Sequence, residues 1–191
     1  MHTSYFLVVL AALIITGCGR HEPSKTSVDP ESSMPSKSPK QMELSVTNQS
    51  QQQISKLNEA DLKQLQDQRQ VVQHYLGDPA SKEKYKSAAG KLGTIRALLQ
   101  SGVFKPNQTH ELQCLGVVLG DVFVQELNME WIIVEDKQGR DPAIRMPGTS
   151  IILYPITMIS KRIESGEKVD VFELFNGSAA KIEQLKTQAE K

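Results

Sequence analysis

The chain has 191 residues, is 39% hydrophobic and balances 22 basic against 22 acidic side chains. Neutral balance argues against a general electrostatic grip on nucleic acid, which needs a basic face, and the length suits one modest domain with a tail. The first element in chain order is an apolar run from Phe6 to Ile15 behind a short n-region of Met1 and His2. It falls short of the ~20 apolar residues that a membrane span needs, so it reads as the core of a secretory signal.

Ile15-Thr16-Gly17-Cys18 follows at once. This branched-small-Gly-Cys pattern resembles the lipobox of bacterial lipoproteins, although the n-region lacks Lys and Arg. The resemblance implies cleavage before Cys18, a diacylglycerol thioether on its sulfur and an acylated new N-terminus, with fatty acids such as palmitate. Several chains on one cysteine suit stable anchoring, because a single chain binds a bilayer only marginally. An ordinary secretory signal with Cys18 incidental is the alternative. Gly19, where an aspartate would favour the inner membrane in enterobacterial lipoproteins, implies by the same resemblance an outer-membrane protein facing the periplasm in a Gram-negative host. With Cys18 used as a thioether, Cys114 stands alone and a disulfide framework is excluded.

The sequence divides into a signal at 1–17, the lipidated cysteine with a tether at 18–53, and a single α+β domain at 54–191. Gly19 to Gln53 is rich in Ser, Pro, Lys and Gln, and such a segment buries too little surface to offset ordering entropy. As a coil of about 35 residues it would span roughly 30–35 Å.

Asn58 caps a first helix with Glu59 and Asp61 in its opening turn, Leu62, Leu65, Val72 and Leu76 on one face, and Gly77 at its end. Asp78-Pro79 restarts the chain as cap and first helical residue. Tyr85, Ala88, Ala89, Leu92, Ile95 and Leu99 recur at helical spacing up to Gly102, and the short join implies an N-terminal helical hairpin. Thr109 to Asn128 is apolar nearly all round, with Gln113, Asp121, Gln125 and Asn128 as one polar stripe, so it is expected to be a central helix. Gly116 and Gly120, one turn apart, invite close approach of another backbone.

Glu130 to Glu135 is β-branched and aromatic and reads as a strand; Asp136 to Gly139 reads as a turn. Ala143–Met146 and Ser150–Tyr154 complete a small antiparallel sheet, on which the central helix is expected to pack. Pro155 opens a helix with Ile156, Ile159 and Ile163 on one face, ended by Gly166. Asp170 and Glu173 suggest a capping box for a short helix through Phe175, and Ser178 the cap of a last one.

Leu115-Gly116, Leu119-Gly120, Trp131, Glu135-Asp136, Gly139, Asp141-Pro142, Pro147-Gly148, Pro155 and Met158 to Arg162 stand in an order that resembles an uncharacterised bacterial family, domain of unknown function 3806. The resemblance covers about 109–166. It implies no activity and transfers no catalytic residue.

No catalytic set, cofactor motif or metal motif emerges. His74 and His110 lack the i, i+3 or i+4 histidine partner that a zinc site would use. Cys114 follows His110 by one turn, which permits a Cys-His pair, but in so apolar a helix it reads as a small hydrophobe. Gly90-Lys91-Leu92-Gly93-Thr94 fails as a phosphate loop because Leu follows the lysine. Glu135, Asp136 and Asp141 surround a turn with Arg140 and Arg145, without the spacing of a calcium loop; solvated or paired charges are the simplest reading. Trp131, Asp136, Asp141 and Arg145 remain as candidate binding residues. The expectation is a membrane-anchored, non-enzymatic interaction or accessory domain with a protein partner. The rivals are an enzyme with a polar site around Asp136, Asp141 and Arg145, or an inhibitor-like or immunity-like protein.

Overall fold

The computed structural model describes residues 52–189. The signal, Cys18 and the tether as far as residue 51 lie outside the described residues. The domain is α+β. Its elements run β1 (Gln53–Ser55), α1 (Glu59–Gln73), α2 (Pro79–Lys84), α3 (Ala88–Ser101), α4 (Thr109–Leu127), β2 (Glu130–Asp136), β3 (Gly139–Arg145), β4 (Ile152–Leu153), α5 (Ile156–Glu164) and α6 (Val171–Ala189). The strands form one antiparallel sheet in the order β1-β2-β3-β4.

α1 opens on a reciprocal capping box: Asn58 Oδ1 accepts from the Asp61 N–H at 3.0 Å, and Asp61 Oδ2 accepts from the Asn58 N–H at 2.8 Å. Its inward stripe is Asp61, Leu65, Gln68 and Val72, one helical face at spacings of four, three and four. Leu62, expected on that face, is 54% exposed. It lies one residue off the stripe because Asp61 takes the inward position. The helix stops at Gln73, ahead of the expected Gly77.

The single helix expected after Pro79 is two. Ser87 leaves the helical region and recaps the chain, its hydroxyl accepting from the Gly90 N–H at 3.1 Å. A side chain at Gly90 would run into the Lys84 carbonyl, so glycine is what lets α3 start so close to the end of α2. The buried face of α3 is Ala88, Leu92, Ile95 and Leu98, with Leu98 in the place expected for Leu99. Gly102 ends the helix in the left-handed region, as its position suggested. The expected hairpin is replaced by a different arrangement: α1 and α3 each pack on α4 and meet one another little.

α4 packs against α1, α3, α5 and α6. Leu112, Leu115, Val117, Val118, Leu119, Val122 and Phe123 are all fully buried. Its two glycines are contact points. A methyl on Gly116 would overlap the Ile156 carbonyl of α5, and one on Gly120 would overlap the Trp131 ring and Pro155.

Alternation along the strands explains the apolar run of β2. Trp131 and its partner Ile144 join the main core, while Ile132, Val134 and Ala143 form a second cluster of opposite parity. β3 begins at Gly139, four residues ahead of the expected start, and β4 is only two residues long. β1 pairs with Ile133 to Glu135, a strand that three residues rich in polar atoms gave little reason to expect. The last two expected helices are one. Ser178 is internal and its hydroxyl donates to the Leu174 carbonyl; Phe175 against Phe123, and Ile182 in the core, hold both halves of α6 in place.

Overpacking a tight contact costs about 1–3 kcal/mol, whereas on a solvent-facing helix Gly→Ala stabilises by about 1 kcal/mol. Gly116→Ala and Gly120→Ala are therefore each expected to lower the urea midpoint, Gly116→Ala more because it meets backbone. A raised midpoint in both would remove α4 from these contacts.

Candidate functional site

Three arginine-carboxylate pairs organise the polar side chains. Arg69 of α1 donates through two nitrogens to the two oxygens of Asp121 in α4, each at 2.7 Å, and Trp131 Nε1 donates to Asp121 Oδ1 at 3.0 Å. The Asp121 carboxylate raises the Arg69 pKa further, against the opposing effect of burial. Nearby, burial and then the Asp121 charge push the Tyr85 hydroxyl up to about 12. Arg140 of β3 grips Asp61 through two nitrogens at 2.6 and 2.7 Å. Arg145 Nε donates to Glu130 Oε1 at 3.1 Å across the β2–β3 pair.

This geometry separates the candidate residues. Trp131 and Arg145 belong to the end of the hairpin where Glu130 faces Arg145, whereas Asp136 faces Gly139 at the turn. The suggested grouping of Arg145 with Asp136 and Asp141 does not form, because Arg145 is taken by its cross-strand partner. Trp131 is a partly buried core residue with its N–H already used.

Asp136 and Asp141 do come together, on a cleft of about 520 Å³. Tyr154 is beside them: burial, then the charges of Asp136 and Asp141, raise its hydroxyl pKa. Lys161 of α5 and Gln68 and Gln113 from α1 and α4 also line this cleft, as do Gln52, Gln64 and Gln138. Asp136 Oδ1 accepts from the Gln138 N–H at 2.7 Å, which fixes the turn. Gln68 is 6% exposed, and its Oε1 has no hydrogen-bond partner among the described residues. Sequence reasoning missed the glutamines. The available signal was a polar residue on a buried stripe, Gln68 between Leu65 and Val72, where an amide needs a reason to be.

Cys114 and His110 do meet, with Sγ 3.8 Å from Nε2. Burial and the neighbouring Glu111 push the thiol up to about 11, so the nucleophilic thiolate is scarce near neutrality. Gly90 to Thr94 lie within α3 and form no phosphate-binding loop. Among the described residues, no three His, Cys, Asp or Glu side chains are grouped so as to hold a metal ion, and no helix is long and apolar enough to cross a membrane.

Arg140 beside Asp61 holds that carboxyl at about 2, below the ordinary 3.8; burial opposes the shift and the Asn58 N–H assists it. Because the folded-state value lies below the unfolded one, the stabilisation is complete above about pH 4 and disappears as the pH falls towards 2. Asp61→Asn is expected to lose about 1 kcal/mol at pH 7, with the gap to the parent narrowing between pH 4 and 2 in urea unfolding. A constant gap would contradict the pairing. For the partly buried Arg69–Asp121 pair, Asp121→Leu should cost about 3 kcal/mol by leaving a cation and an indole N–H unpaired. Adding Arg69→Met should recover part of that loss, and strictly additive losses would show the two groups to be uncoupled.

The sequence model of an uncharacterised family, Domain of unknown function (DUF3806), matches residues 91–175. No curated protein matches the chain. A crystal structure from Bacteroides thetaiotaomicron VPI-5482 is similar in fold, with a TM-score of 0.54 and 14% sequence identity over 67% of this chain and 47% of that one. The similar region thus spans about half the length of that protein, and the likeness is one of fold. The family match takes in α4, the hairpin of β2 and β3, and α5, which supply Gln113, Asp136, Asp141 and Lys161 to the cleft.

Proposed function

We propose that the protein is a lipoprotein of the cell envelope, held on a membrane by lipid on Cys18, whose domain is a non-enzymatic binding or accessory module. The anchor rests on the apolar run ending in Ile15-Thr16-Gly17-Cys18. Gly19 favours the outer membrane, facing the periplasm, in a Gram-negative host. In this reading the sheet and α4, braced through Gly120 and Trp131, form a stiff support for the cleft of Asp136, Asp141 and Gln68.

The observation that carries the binding role is the division of the polar groups. Arg69, Arg140 and Arg145 are committed to carboxylates, and burial pushes the Cys114 thiol up to about 11. Besides Lys161, Tyr154 and Thr157, the polar side chains on the cleft are amides and carboxylates, a set that suits recognition better than nucleophilic chemistry.

Cys18→Ser is expected to abolish palmitate labelling and to release the protein from the membrane fraction. Equal labelling of the variant would overturn the anchor. A photo-crosslinking residue at Gln64 or Tyr154 should form adducts in cells, while one at Glu183 on α6 should not. Equal capture from all three positions would remove the cleft from recognition.

A further inference from the structure

The chemistry of the cleft narrows what it binds. Gln68 Oε1 is a buried, solvent-shielded acceptor without a donor among the described residues; Gln68 lines this cleft, so a small turn of its amide would bring that atom to an O–H or N–H of a ligand or a water. Asp136 and Asp141 add carboxylate oxygens that take part in no ion pair among the described residues; those of Asp136 also accept from the Gln138 N–H and, at 3.5 Å, from Gln52 Nε2, which leaves their remaining lone pairs for a ligand. Ionised acceptors bind hydroxyl donors by short, charge-assisted hydrogen bonds. Lys161 and the side-chain amide of Gln113 offer donors on the same cleft. Tyr154, 39% exposed, contributes an aromatic ring at its margin.

A complementary ligand therefore presents closely spaced groups that both donate and accept, together with an apolar face for the ring. Sugar hydroxyls and the C–H face of a pyranose meet both demands. A volume of about 520 Å³ is in the range of small-ligand sites. An extended peptide is less well matched. It would add to the part of β3 that β4 leaves uncovered, where Pro142 has no N–H to offer an incoming strand.

We propose that this cleft binds a neutral saccharide, with its hydroxyls on Gln68, Asp136 and Asp141 and a ring against Tyr154. The proposal rests on the reading above that the cleft is the recognition surface. The test titrates the full chain, in a detergent without sugar headgroups, with cellotetraose and with chitotetraose by calorimetry, using spermidine as a cationic control. Saturable binding of a tetrasaccharide is expected, weakened at least tenfold by Tyr154→Ala and by Gln68→Leu and unchanged by Glu183→Gln. Tyr154→Ala alters an exposed residue and keeps the test valid should Gln68→Leu unfold. Absence of saturable binding by both sugars, binding indifferent to Tyr154→Ala, or saturable binding of spermidine alone would each overturn it. Cleft-specific protein adducts in cells combined with no saccharide binding would overturn the sugar and leave the recognition surface standing, whereas loss of cleft specificity would remove that surface itself.

Discussion

Asp121 places a partly buried carboxylate in a helix whose fully buried positions are apolar, and such a charge persists only where it is paired and hydrogen-bonded. Two nitrogens of Arg69 and the indole N–H of Trp131 meet that requirement, from α1 and β2 respectively. One residue earlier, Gly120 leaves room for the Trp131 ring, and a turn before that Gly116 leaves room for the α5 backbone. Hydrophobic burial alone would let α4 slide or rotate among its neighbours. A bidentate pair with a third directional donor fixes its rotation, and the two glycines fix its depth. The placement of α1 and of the sheet, and with it the cleft they help to line, follows from that carboxylate.

The parts of this arrangement that were legible in the sequence are those written in local chemistry. Asn58, Gly102 and the apolar periodicity of Thr109 to Asn128 announce helix ends and burial through caps, a left-handed glycine and a hydrophobic pattern. Gly116 and Gly120 announced close approach without naming the neighbour. Long-range pairing had no local trace. Nothing adjacent to Asp61 points to Arg140, seventy-nine residues away, so Leu62 was turned inward in error. Arg145 was set with the turn carboxylates through nearness in sequence, although the hairpin register carries it to the opposite end. The break at Ser87 and the continuity through Ser178 share a lesson: a serine recaps a chain or sits inside a helix according to whether the core takes up the residues on both sides.

The cleft was half legible. Asp136 and Asp141 stood out as charges near a turn, but the glutamines that give the site its character are silent in a sequence with many of them. Only the burial of Gln68 sets it apart from solvated neighbours such as Gln64. The folded domain holds Arg69, Arg140 and Arg145 on carboxylates, its burial pushes the Cys114 thiol pKa up, and amide and carboxylate groups line one opening with Lys161. Such a surface would suit a polar ligand held through many modest hydrogen bonds. A lipid tether would complement it by confining the domain to a membrane surface, so that weak contacts act at high local concentration.

The most direct test of the central role of Asp121 is native-state hydrogen exchange of the Trp131 indole N–H. With that proton held by a carboxylate that Arg69 also grips, exchange should require global opening and rank with the slowest amides of α4. It should accelerate by orders of magnitude in Asp121→Ala. Exchange in the parent protein at close to the rate of a free indole would show that the carboxylate does not hold the tryptophan. The structure would then lack the link from which the positions of its sheet and helices are derived.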